Sequence, residues 1–149
     1  QLNTGFDLVK AQLRIALGMN IKLNQENIQF TGHSMECRIN AEDPETFQPS
    51  PGKITKMHTP GGFGIRYDSH IYGGYLVPPY YDSLLAKIIT QANSRESAIK
   101  RMISALDEFF IDGIKTNHSL HQKILHDDTF LNNKHTINYL EKEFLKNVS

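Results

Sequence analysis

The side chain of most chemical interest in this sequence is Arg38, in the run Ser34-Met35-Glu36-Cys37-Arg38-Ile39-Asn40. Read with the period of two of a β-strand, the run sends Met35, Cys37 and Ile39 to one face and Ser34, Glu36, Arg38 and Asn40 to the other. Arg38 then has two readings. In the first it is a solvated cation with a modest ion pair to Glu36, worth about 0 to 1 kcal/mol. In the second it is a rigidly held guanidinium fork that presents fixed positive charge to an anionic ligand or a developing oxyanion. Cys37 faces inward and reads as a small core residue, without the access or electropositive surroundings of a reactive thiolate.

Other candidates carry less. Seven histidines raise a metal hypothesis, with His118 and His121 three apart on an expected helix and His126 and Asp127 further on. No additional carboxylate or cysteine completes a zinc spacing, so solvated surface histidines are expected and no metal site. Asp82, after two prolines and two tyrosines, reads as a turn or strand-entry carboxylate. Gly61-Gly62-Phe63-Gly64 precedes a strand pattern rather than a helix, and no Gly-x-x-x-x-Gly-Lys-Ser/Thr loop occurs, which argues against a phosphate cradle. Phe63 beside three glycines reads as an exposed aromatic anchor, while Arg66 and Glu108 on their own read as surface charges.

The elements that position these residues follow from periodicity. Thr4 to about Gly18 predicts a helix with Thr4 as N-cap and Phe6, Val9, Leu13, Ala16 and Leu17 on one face. From about Ile28 to Thr90, short runs rich in Ile, Phe, Tyr and Val alternate with Pro and Gly punctuation, the pattern of strands joined by tight connections. A second helix is expected from Asn93 to Phe110, with Asn93 as cap, Gly113 beyond its end, and Ala98, Ile99, Met102, Ile103, Leu106, Phe109 and Phe110 inward. Two weaker helices start near Asn117 and Thr136. Helix, strand block, then helices predicts an α+β fold with an antiparallel sheet, because a parallel doubly wound sheet needs strict alternation.

Size and composition bound the function. The 149 residues suit one domain over 1–149, and at this size a core forms without a metal or disulfide staple. Sixteen basic and sixteen acidic residues balance, which argues against nucleic acid or an anionic membrane as partner. No apolar run approaches the roughly 18 residues of a membrane span. A single cysteine suits a reducing, cytoplasmic setting. The first residue is Gln1, without a signal-peptide pattern, and a piece of a longer chain is expected.

Several strings together are more specific than any of these features. Glu36-Cys37-Arg38-Ile39-Asn40-Ala41-Glu42-Asp43-Pro44, Pro49-Ser50-Pro51-Gly52-Lys53-Ile54 and Pro60-Gly61-Gly62-Phe63-Gly64-Ile65-Arg66 are followed in order by Pro78-Pro79-Tyr80-Tyr81-Asp82-Ser83-Leu84, Ile111-Asp112-Gly113-Ile114-Lys115-Thr116-Asn117 and Tyr139-Leu140-Glu141-Lys142. Over nearly its whole length the chain resembles the C-terminal domain of biotin carboxylase.

The resemblance implies an enzyme that uses ATP and magnesium to activate bicarbonate and then carboxylates biotin on a biotin carboxyl carrier protein, the first half-reaction of acetyl-CoA carboxylase in fatty acid synthesis. It implies that Arg38 is the catalytic arginine that binds bicarbonate and stabilises the biotin enolate. It places Ile137 against the adenine ring, although Lys134-His135 and Asn138 depart from the commonest family pattern, and Phe63, Arg66 and Glu108 in a homodimer interface. It places the ATP lysines, magnesium ligands and general base upstream of Gln1, so the fragment by itself is expected to be inactive. The absence of a biotin-carrier segment before Ser149 points to a separate bacterial-type subunit that works with carboxyltransferase subunits. Two other classes stay open: a non-catalytic module for dimerisation or carrier docking, and a histidine-based metal-binding domain.

Overall fold

A computed structural model of the chain describes residues 1–145; residues 146–149 of the expected 1–149 domain lie outside the described residues. Helix α1 (Leu8–Ala16) comes first, followed by strands β1 (His33–Asn40), β2 (Gly52–Lys53), β3 (Lys56–His58), β4 (Ile65–Ser69), β5 (Leu76–Val77) and β6 (Leu84–Ala92). Helix α2 (Arg95–Glu108), strand β7 (Phe110–Asp112), helices α3 (His118–Leu125) and α4 (Asp128–Leu131) and a π-helical turn over Leu140–Phe144 complete the order. The strands form a three-stranded antiparallel sheet, β1-β6-β4, and two small antiparallel pairs, β2-β5 and β3-β7. This is the expected α+β arrangement.

The sheet has two chemically distinct faces, because residues paired across antiparallel strands point the same way. The rows Met35-Thr90-Ile65, Cys37-Ile88-Tyr67 and Ile39-Ala86-Ser69 face α2. There Cys37, Ile39, Ala86 and Ile88 pack with Ile99, Met102, Ala105, Leu106 and Phe109 into the main core. Fully buried Thr90 satisfies its hydroxyl by donating to the Ala98 carbonyl at 3.1 Å. The opposite rows, Glu36-Ile89-Arg66 and Arg38-Lys87-Asp68, form the outer face. A second core of Ala41, Ile54, Ile71, Val77 and Leu85 lies under the short strand pairs.

Several element ends differ from the sequence expectation. Asp7, not Thr4, caps α1, its carboxylate accepting from the Lys10 N–H; Thr4 instead takes the Phe6 N–H within a preceding turn. The expected inward face of α1 is largely exposed, with Val9 at 61%, Leu13 at 63% and Leu17 at 77%, and Ala11 is the helix's buried residue. An apolar stripe is buried only where another element lies over it, and no described element covers this one. Ser94, one residue after Asn93, caps α2 through the Ser97 N–H. That helix ends at Glu108, and Phe110 is not an inward helical residue: it opens β7, opposite His58, and is 46% exposed. Gly113, with φ of +99°, follows β7 and passes against the Lys53 carbonyl, where no Cβ fits. The region from Thr136 forms turns and the π-helical segment rather than a regular helix. Among the described residues no helix is long and apolar enough to cross a membrane.

Candidate functional site

Arg38 stands on the exposed outer face of β1, as the period of two predicts, and among the described residues it forms no ion pair. The modest Glu36 pairing is therefore absent. Across the sheet its direct partner is Lys87 of β6, itself followed in the row by Asp68 of β4. Like charges directly opposite on neighbouring strands are unfavourable by a few tenths to about 1 kcal/mol. Asp68 does little to offset them, because its carboxylate is engaged on both oxygens by Arg66, at 2.9 Å from Nε and 2.8 Å from Nη2. The outer face thus holds two adjacent cations, neither of which forms an ion pair among the described residues.

Helix α3 is built against the free edge of β1 at this point. Asn117 begins α3 but does not use its side chain to cap the helix. Its Oδ1 accepts from the Asn40 N–H at 2.9 Å and its Nδ2 donates to the Arg38 carbonyl at 3.1 Å, while its own N–H donates to the Asn40 carbonyl at 3.2 Å. His121, one turn on, donates Nε2–H to the same Arg38 carbonyl at 2.9 Å. Burial holds the His121 imidazole below its ordinary pKa, the carbonyl bond opposing the shift and the neighbouring His118 adding to it. From the sequence alone His118 and His121 read as surface histidines and Asn117 as a helix start.

The other candidates fall in separate places. Phe63 is 92% exposed, and the Arg101 guanidinium lies over its ring at 5.6 Å. Arg101 also donates to the Gln91 carbonyl. Gly64, at φ of +75°, allows this approach, since a Cβ there would come within 2.7 Å of the Gln91 oxygen. The glycine-rich run therefore sets a close backbone crossing. Arg66 lies on the outer face of β4 and Glu108 ends α2; among the described residues no hydrogen bond, ion pair or ring contact joins Glu108 to Phe63 or Arg66. Ile137 is fully exposed and belongs to no core cluster. Asp82 accepts the Leu84 N–H at 2.9 Å at the entry to β6, the turn role expected of it.

The histidine hypothesis finds no support in geometry. His118 binds the Leu106 carbonyl at 2.8 Å, His126 the Gln122 carbonyl at 2.8 Å, and Asp127 caps α4 through the Thr129 and Phe130 N–H groups. Among the described residues no three His, Cys, Asp or Glu side chains converge on a point. Cys37 is buried against α2, and its thiol is pushed up to about 12 by burial and then by the charge of Glu36, which leaves it inert.

Comparison with known proteins agrees with this architecture. A biotin carboxylase from Haemophilus influenzae is 59% identical over 143 residues, covering 96% of this chain and 32% of that protein. The solved structure of a biotin carboxylase from Campylobacter jejuni in an ATP-analogue complex superposes with a TM-score of 0.90 at 44% identity, over 95% of this chain and 32% of that one. The biotin carboxylase domain dimer of a 2-oxoglutarate carboxylase from Hydrogenobacter thermophilus, solved with MgADP, ADP and bicarbonate, superposes with a TM-score of 0.91 at 48% identity, over 95% of this chain and 31% of that one. The chain thus spans about a third of the length of the relatives it matches. The family profile for the biotin carboxylase C-terminal domain matches residues 36–142, well over half of the chain, and the chain belongs to that family.

Proposed function

We propose that this chain is the C-terminal part of a biotin carboxylase, and that Arg38 is the residue through which it acts in an ATP- and bicarbonate-dependent carboxylation of biotin. The carrying observation is the Arg38–Lys87 pair on the outer face, with Arg38 in no ion pair among the described residues. Two adjacent cations on rigid strands carry a cost in the free domain that a bound anion removes, and this favours an anion-binding site over a passive docking module. A planar guanidinium matches a planar bicarbonate and, in the second step, the ureido oxygen of biotin as negative charge develops there during removal of the N1 proton. Arg38 holds and neutralises; it moves no proton.

ATP and magnesium are expected to be held mainly by the upstream part of the full-length protein, with Ile137 as one aliphatic wall of the adenine pocket. No step is assigned to magnesium on this chain, whose described residues offer no converging ligand set. Phe63, Arg66 and Glu108 are proposed as parts of a homodimer interface. Biotin arrives on a carrier protein, and carboxyltransferase subunits consume the product, with acetyl-CoA carboxylase in fatty acid synthesis as the expected setting. The unpaired, buried Cys37 suits a cytoplasmic location.

The test is bicarbonate-dependent ATP hydrolysis by the full-length protein with free biotin. Biotin-stimulated turnover is expected, and Arg38→Ala or Arg38→Lys should lower it by about 10²- to 10³-fold, the typical loss for one oxyanion donor, with the far-ultraviolet dichroism unchanged. Near-normal carboxylation by Arg38→Ala would remove Arg38 from the mechanism, and no biotin-stimulated hydrolysis at all would remove the reading.

A further inference from the structure

We propose that Asn117 and His121 are positioning residues for Arg38, gripping its main chain from the open edge of β1 so that the guanidinium is aimed before any anion arrives. This inference rests on the reading of Arg38 as the anion-binding group.

Strand β1 is the outermost strand of its sheet, with β6 on one side only. An edge strand leaves alternate N–H and C=O groups without ladder partners, and its backbone has more freedom than that of a central strand. The register beside Arg38 is also broken: Ile39 pairs with Ala86 but Asn40 pairs with Leu84, so Leu85 is an extra residue opposite that step. Bulges re-aim nearby side chains, and they do so reproducibly only if the backbone around them is fixed.

Asn117 supplies that constraint in the manner of a one-residue strand. Its carboxamide accepts from Asn40 and donates to Arg38, and its own N–H closes on Asn40, so both sides of the irregular step are held by one buried residue that is 8% exposed. His121 places a second donor on the Arg38 carbonyl. That oxygen therefore accepts two hydrogen bonds, one from the N-cap residue of α3 and one from the helix itself, and α3 is anchored to α2 by the bond from His118 to the Leu106 carbonyl. The chain of contacts runs from the core helix to the backbone of Arg38 and stops short of its guanidinium. A side chain of four rotatable bonds gains precision only from a fixed root, and displacement of a catalytic group by about 1 Å can cost on the order of 10²-fold in rate.

The test is a double-mutant cycle in the full-length enzyme, with free biotin, bicarbonate and Mg-ATP as substrates. His121→Leu should lower kcat for biotin carboxylation by roughly tenfold and leave KM for ATP within about twofold. His121→Gln, whose carboxamide N–H reaches the same carbonyl, should restore most of the rate. In an Arg38→Ala background His121→Leu should have no further effect, because there is no longer a guanidinium to aim. His121→Asn, too short to reach the carbonyl, runs the same cycle should the leucine variant not fold. A full tenfold loss that persists in the Arg38→Ala background, failure of the glutamine to rescue, or a wild-type rate for His121→Leu each overturns the proposal. A near-normal rate for Arg38→Ala alone overturns instead the reading beneath it, so the two failures are told apart.

Discussion

Arg38 and Lys87 are direct cross-strand partners on β1 and β6, two cations side by side on the solvent face of a sheet whose other face is the main core. Their repulsion is a property of the free protein, and it can be measured. Lys87→Gln should raise the urea midpoint by the equivalent of about 0.2 to 1 kcal/mol at low ionic strength, and the gain should shrink at about 0.5 M salt as the charges are screened. An unchanged or lowered midpoint at low salt would show that the pair carries no strain.

Phe63 offers nearly its whole ring to solvent above Arg101, while Arg66 is already clasped by Asp68. If this surface is a subunit interface, Phe63→Ala should weaken dimerisation of the full-length protein by at least tenfold, as loss of an aromatic anchor does, without lowering its melting temperature. Arg66→Glu should weaken it as well, by setting a negative charge against an acidic group across the interface. Sedimentation equilibrium with unchanged dissociation constants for both variants would rule out the interface.

The Cys37 thiol is held protonated to about pH 12 in the folded state, whereas an unfolded thiol ionises near 9. Between these values the unfolded state has lost a proton that the folded state keeps, so stability must fall as pH rises through that window and be insensitive to this group below it. Cys37→Ala should flatten the alkaline part of the stability profile by one proton's slope. In the native protein at pH 8 the thiol should resist a disulfide reagent until denaturant is added; immediate stoichiometric reaction would contradict its burial.

Ile137 is fully exposed, so it offers an adenine ring at most one aliphatic wall. That contact is worth at most about 1.5 to 3 kcal/mol before association entropy is subtracted, which corresponds to millimolar affinity or weaker. Calorimetric titration of the 149-residue chain with Mg-ATP should show no saturable heat in the micromolar range. A tight stoichiometric isotherm would place a nucleotide site within this chain.

What the sequence determined by itself was whatever a short window encodes. The alternation of residues 34–40 put Cys37 in the core and Arg38 on the outer face, and the 3.6-residue period put Ala98, Ile99, Met102 and Leu106 against the sheet. Those assignments rest on neighbours two to four positions apart and needed no tertiary knowledge. Caps slipped because they depend on local backbone angles: Asn93 and Ser94 are both good cap residues, and the chain turns at the second. Only the tertiary structure decided that Phe110 leaves the helix to pair with His58, more than fifty residues earlier, and that the apolar stripe of α1 has no described element over it. It alone also decided what surrounds Arg38. The bonds from Asn117 and His121 to the Arg38 carbonyl span 79 and 83 residues, and the opposition of Arg38 and Lys87 depends on the register of two strands far apart in sequence. No periodicity carries such information, because it arises when separate elements close one core and their remaining polar groups must find partners where they meet.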